Sequence, residues 1–376
     1  MTHQDSGTTR LQEYIAQVLP WAPGHQLKGI TTFVNAIIEK QTGNQAELAR
    51  GLGNQEAAVK RLSRLLHNER LAPHRLADAV LAQALRQLPP TGKVRLALDW
   101  TIEGSQHLLV ASLVTGGRAV PLYWRAYDAT VLKGRMRRYE MAVIRRVITR
   151  VQGVIGWRRV IVTADRGFAD VALVEVLTAL GVEFIIRVKG STKVCVQGQW
   201  RPLHTLPFVG NAYQRDLGHL AYCESAPHRV WVTMSRARDA KGQWERWYLI
   251  SNRPRRAHAT AAEYARRFGC EQGFRDTKWE LGFAQARIKD SQAWSRLFAL
   301  FALALLVVVS LAVKLLLSGG PHAVALLRRV ASRRHGRWEL SVVSAMIRLL
   351  HEDNSLFAHL SSYIKFNLDA RLVYVS

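Results

Sequence analysis

The sequence predicts an α/β protein: a mixed core flanked by helical regions at both ends. Two observations carry this. Residues 94–188 read as three strands in a meander, then helix, strand, helix, strand. The stretches on either side carry helical apolar spacing. With 376 residues and 48% apolar content, there is ample chain for two or three domains with sizeable cores.

Residues 1–90 form the first unit, a helical N-terminal domain. Within it, Ala46–Asn54 leads into Ala57–Leu66, and Ala49, Gly53 and Val59 have the small, turn and apolar spacing of a helix-turn-helix. That spacing makes this a DNA-binding domain with Lys60, Arg61 and Arg64 on the second helix, turned to phosphates or a groove. A plain helical bundle gives the same pattern. Leu88-Pro89-Pro90-Thr91-Gly92 ends the helices and marks the boundary.

The core's first part spans 91–189. Val94–Thr101 alternates, is apolar at its centre and ends in a carboxylate, Asp99. His107–Val114 and Val120–Tyr127 follow, with Gly116-Gly117 between them as a tight turn. A basic helix is expected over Lys133–Val151. Arg159–Ala164 is a buried strand ending in Asp165, before Arg166-Gly167-Phe168. The helix Asp170–Leu180 and the strand Val182–Val188 complete the alternation.

Short strand-like runs broken by Gly, Pro and Asn mark residues 190–247 as a β-strand insertion. The core resumes over 248–318. Leu297–Leu317 is the most apolar run, and Ser310 and Lys314 interrupt it, so a buried core helix is expected rather than a membrane span. A helical C-terminal region, 319–376, carries Arg328, Arg329, Arg333, Arg334 and Arg337.

Lys and Arg number 53 against 28 Asp and Glu, a net charge of +25. A surplus this large on a folded chain points to a polyanion, foremost nucleic acid, and arginine's planar fork suits phosphate. The three cysteines, Cys195, Cys223 and Cys270, have neither zinc nor disulfide spacing, which fits a reducing compartment. The start lacks a charged-then-apolar leader, so a cytoplasmic location is expected.

Tyr264, Arg267, Glu271 and Lys278 remain. On an ideal helix, Arg267, Glu271 and Lys278 fall at roughly −60°, −20° and −40° from Tyr264, on one face. A metal ligand flanked by phosphate clamps needs this mixture; an exposed face with helix-spaced ion pairs also produces it. Tyr-x2-Arg-x3-Glu-x6-Lys resembles the Y-R-E-K signature of DDE transposases of the IS-four insertion-sequence family. Asp99 and Asp165 match that family's two upstream strand-end aspartates, and the β insertion falls where the family carries one.

The resemblance implies an RNase H-like catalytic core. It implies Asp99, Asp165 and Glu271 as catalytic residues and metal ligands, and Tyr264, Arg267 and Lys278 as contacts to transposon-end phosphates. Trp247, in Trp247-Tyr248-Leu249-Ile250-Ser251, matches a tryptophan that stacks on a flipped base; Trp244 and Trp231 are rivals, and a core tryptophan is the alternative. Two Mg²⁺ ions, replaceable by Mn²⁺, fit three carboxylates of this kind. The implied partners are double-stranded DNA, as transposon ends and target, and a second copy of the chain in the synaptic complex, with no membrane. Competing readings are a nuclease or junction resolvase on the same fold, a DNA-binding regulator with a degenerate catalytic fold, and a membrane-anchored protein.

Overall fold

The computed structural model describes residues 3–86, 88, 91–115, 118–156, 160–209, 212–238, 242–318, 325–326, 333–334, 337–338 and 342–352. Five helices come first: α1 (His3–Val18), α2 (Gly24–Lys40), α3 (Gln45–Ala49), α4 (Gln55–Leu66) and α5 (Pro73–Arg86). Asn44 and Asn54 cap α3 and α4, each side chain accepting backbone N–H bonds from the first turn. The chain between them reverses through Gly51 and Gly53, both at positive φ.

The core begins with β1 (Val94–Glu103), β2 (Gln106–Thr115) and β3 (Arg118–Asp128), an antiparallel meander. After α6 (Ala129–Leu132) and α7 (Met136–Ile155), β4 (Val160–Ala164) pairs parallel with β1. Then α8 (Val171–Ala179) leads to β5 (Glu183–Val188), parallel with β4. Every residue of β4 is buried, as expected of a strand covered on both faces.

The insertion contains β6 (Lys193–Val196), β7 (Gln199–Pro202), β8 (Gln214–Tyr222) and β9 (His228–Arg238), and β10 (Trp244–Ser251) brings the chain back to the core. All ten strands form one sheet in the order β3-β2-β1-β4-β5-β10-β9-β8-β6-β7. The insertion therefore extends the core sheet edgewise through β10, which pairs antiparallel with β5.

Next come α9 (Ala257–Ala265), α10 (Phe268–Arg275) and a π-helical turn over Asp276–Glu280. The long α11 (Ser291–Ser318) packs against α2, α5 and β3. Its stretch Ser291–Ala312 is long and apolar enough to cross a membrane, and 94% of its most apolar window is buried inside the protein. Trp124 Nε1 donates to the Ser295 carbonyl at 2.9 Å, and Arg296 donates to the carbonyls of Leu66 and Leu71, joining α11 to the sheet and to the end of α4.

Most of the C-terminal region lies outside the described residues. Within it, α12 (Val342–Glu352) is helical. Arg333–Arg334 instead pairs antiparallel with Arg337–Trp338, where a helix was expected.

Candidate active site

Strand register brings the two aspartates together. The last β1–β4 pair is Leu98 with Ala164, so Asp99 and Asp165 are the next residues on adjacent parallel strands. Asp99 Oδ1 accepts the Trp100 N–H at 2.9 Å, and Asp165 Oδ1 accepts the Gly167 N–H at 2.8 Å, which fixes both carboxylates. Asp165 follows the end of β4 as expected, but Asp99 does not end its strand: β1 continues to Glu103, held by its pairing with β2.

Glu271 arrives from α10, which lies across β3 with almost no clearance. A Cβ on Gly273 would collide with the Ala119 carbonyl oxygen, so glycine is what allows the helix to sit this close. Buried Glu263, on α9, pairs with Arg95 of β1 and ties the preceding turn to the same sheet.

Arg267 joins the acids. Its Nη2 donates to Glu271 Oε1 at 2.9 Å, and its Nη1 lies 3.5 Å from Asp99 Oδ2. Only 7% of Arg267 is exposed. Burial works against its charge, but Tyr264, Asp99 and Glu271 prevail and hold it further into the protonated range. Asp99 is pushed up to about 6, chiefly by burial; Arg267 opposes the shift, and Asp165 and Glu271 add to it. Cys270, buried against Asp99 and Ser112, is pushed up to about 12 by desolvation, which makes it an inert thiol.

The single-face expectation for the signature segment needs correcting. At Arg267 the helix tightens: the N–H groups of Arg267, Gly269 and Cys270 each bond three residues back. At Asp276 it loosens, with Leu281 N–H reaching the Asp276 carbonyl five residues back. A uniform 100° step therefore does not carry from Tyr264 to Lys278. Arg267 and Glu271 still meet. Lys278 sits on the π-helical turn, its Nζ 3.5 Å from the Ile102 carbonyl oxygen and 3.7 Å from Glu103 Oε2.

Two residues expected at DNA are enclosed. Tyr264 is 0% exposed and Trp247 4% exposed. Their rings meet edge-on at 5.2 Å, and Trp247 stacks on Phe268 at 5.7 Å. Trp247 Nε1 donates to Glu245 Oε2 at 3.1 Å. Here Trp247 is a core residue, because alternation along β10 turns it under α9 and α10. Of its rivals, Trp244 is 55% exposed and Trp231 is half-buried. On α4, Lys60 pairs with Glu56 at 2.6 Å, Arg61 donates to the Leu52 carbonyl, and Arg64 is exposed.

Sequence reasoning missed that Arg267 reaches Asp99 as well as Glu271, because i to i+4 spacing reveals only the second contact. It also missed Gly273, whose only signal was a glycine inside a helical segment.

All three acids offer hard oxygen donors, the chemistry that Mg²⁺ or Mn²⁺ prefers. Among the described residues, no three or more Asp, Glu, His or Cys side chains are drawn together closely enough to hold a metal ion. The Arg267 guanidinium stands between Asp99 and Glu271 instead. The donor set fits a divalent cation in kind, and Arg267 must turn aside for two of its members to share one.

Residues 131–307 match the family profile of the transposase DDE domain. The match takes in Asp165 and Glu271 and begins after Asp99. No curated protein matches the chain. The similarity supports a DDE transposase: an enzyme that cleaves DNA, of a class that generally uses divalent metal ions. The ten-stranded mixed sheet with its covering helices fits the RNase H-like core of such a domain.

Proposed function

We propose that the protein is a transposase of the IS-four type. It binds the terminal inverted repeats of an insertion sequence, cuts the strands and joins them to target DNA, acting as a dimer that brings two ends together. The observation that carries this reading is Arg267 set between Asp99 and Glu271, with Asp165 on the neighbouring strand, inside a chain similar to the transposase DDE domain.

Asp99, Asp165 and Glu271 would hold the divalent ions, Mg²⁺ first. Such ions polarise a phosphodiester and lower the pKa of a bound water or hydroxyl. The chain's own part is positioning. Asp99 and Asp165 are held by backbone N–H donors, and close packing at Gly273 sets the height of Glu271. Arg267 neutralises the acids in the free protein and is placed to pass its charge to a DNA phosphate. Lys278, further along and less enclosed, would meet a different phosphate of the same end.

The test is incubation with labelled DNA carrying the element's own ends, Mg²⁺ and a target plasmid. Joined products that require Asp99, Asp165 and Glu271 support the reading. Cut ends without joining would favour the nuclease or resolvase alternative.

A further inference from the structure

The helical N-terminal region contains a second candidate site. Helices α2 and α4 enclose a cleft of about 620 Å³. His25 and Lys28 of α2 and Arg61 and Arg64 of α4 line it, all four exposed, and no carboxylate does. Buried Phe33 lies in the same lining. So does Gln26, which is 3% exposed and whose Oε1 accepts no hydrogen bond among the described residues. A buried amide oxygen without a donor costs stability, and such atoms normally meet water or a ligand.

These features ask for different parts of one ligand. The cations ask for an anion, the unbonded Gln26 amide for a polar edge, and the apolar lining for a ring face. A nucleotide supplies all three as phosphate, base edge and base plane. Arg61 and Arg64 are each steered by one bond to a backbone carbonyl, of Leu52 at 3.0 Å and of Lys60 at 3.3 Å, with guanidinium N–H groups to spare. Lys60, on the same helix, is outside the cleft and paired with Glu56.

We propose that the α2–α4 cleft holds one nucleotide unit of a DNA strand, with its phosphate on Arg61 and Arg64 and its base edge on Gln26. This rests on the reading of the chain as acting on DNA. It differs from a helix-turn-helix docking α4 into a groove, because two of that helix's cations line a cleft shared with α2.

The full chain is titrated against a fluorescein-labelled twelve-residue deoxyadenylate strand and, separately, a mixed-sequence duplex, with anisotropy read across about 50–200 mM salt. Gly29→Met plugs the cleft: the glycine's Cβ position is 3.7 Å from Leu65 Cδ1, and a longer side chain must project into the free volume. Affinity for the strand should fall about 10-fold or more while the helix is retained, since methionine is the better helix former. Gln26→Leu should weaken binding about 5-fold with an unchanged salt slope, because it removes a neutral acceptor. Arg61→Gln and Arg64→Gln should each lower the slope by about 0.7, and Lys60→Gln should lower it far less.

If Gly29→Met and Gln26→Leu bind normally while the arginine variants weaken, the cations form a general basic surface and the cleft proposal fails alone. If the unmodified chain binds neither strand nor duplex at low salt, the DNA-acting reading fails with it.

Discussion

The two halves of the signature segment are built differently. From Tyr264 to Gly273 the chain is tightly wound, buried and pressed against the sheet, with Tyr264 under Trp247 and Gly273 on the Ala119 carbonyl. From Asp276 to Glu280 it is loosely wound: Asp276 and Thr277 stay buried, Trp279 is 72% exposed, and Lys278 reaches its partners at 3.5 and 3.7 Å. The first half places a carboxylate and a guanidinium beside Asp99 of β1, where small displacements are costly. The second half carries a half-buried cation and an exposed aromatic ring. The signature segment is divided by one tight turn and one wide turn.

Substitutions should respect that division. The largest effect falls on the acids: Asp99→Asn, Asp165→Asn and Glu271→Gln should each reduce cleavage about 10³-fold or more while leaving end binding largely intact, since an amide keeps the shape but loses the charge. Near-normal cutting by any one, measured in Mg²⁺ at saturating protein, would remove that residue from the site. Gly273→Ala comes next. It forces α10 off β3 and should cost about 2–4 kcal/mol by denaturant unfolding, with a parallel loss of cleavage.

The arginine and the lysine compare the halves directly. Arg267→Ala leaves Asp99 and Glu271 facing each other without a cation, and should lower both single-turnover cleavage and end affinity about 10-fold or more. Lys278→Ala should weaken end binding by about 1 kcal/mol, with cleavage recovered at excess protein. Equal kinetic defects in the two variants would mean that the halves are not functionally distinct.

A separate effect is on stability against pH. Asp99 titrates near 6 in the folded protein against an ordinary 3.8, so the native state binds the extra proton between those values. Stability should therefore fall as pH rises from about 4 to about 6.5 and then level off. Asp99→Asn removes this penalty. Without divalent cations it should be more stable than the parent by about 3 kcal/mol at pH 8 and little different at pH 4. An unchanged difference across that range would place the cause outside Asp99.

Much of the core was legible in the sequence because its signals are local. Val160–Ala164 is apolar but for Thr163 and β-branched through its first four residues, and it ends where Asp165 begins a turn, so strand and acid were found together. Leu297–Leu317 was readable as core because its apolar run carries interruptions, and it became part of α11, longer by several residues at its N-terminal side. The helix's change of winding left no comparable trace: Arg266, Arg267 and Asp276 are all compatible with regular helix, and packing against β3 and β10 decides otherwise. Whether Trp247 is a platform or a core residue was not legible for a related reason. Its strand was clear, but which face of β10 is covered depends on helices that arrive later in the chain.

The unbroken sheet has a further consequence. β4, which precedes Asp165, and β8, deep in the insertion, belong to one hydrogen-bonded array with β5, β10 and β9 between them. Four strand spacings of about 4.8 Å separate them by roughly 19 Å. An insertion joined through a flexible linker could swing; this one cannot, short of breaking the ladder between β5 and β10. The insertion is thus a fixed ruler: whatever it touches is held at a distance metered in strands from Asp165.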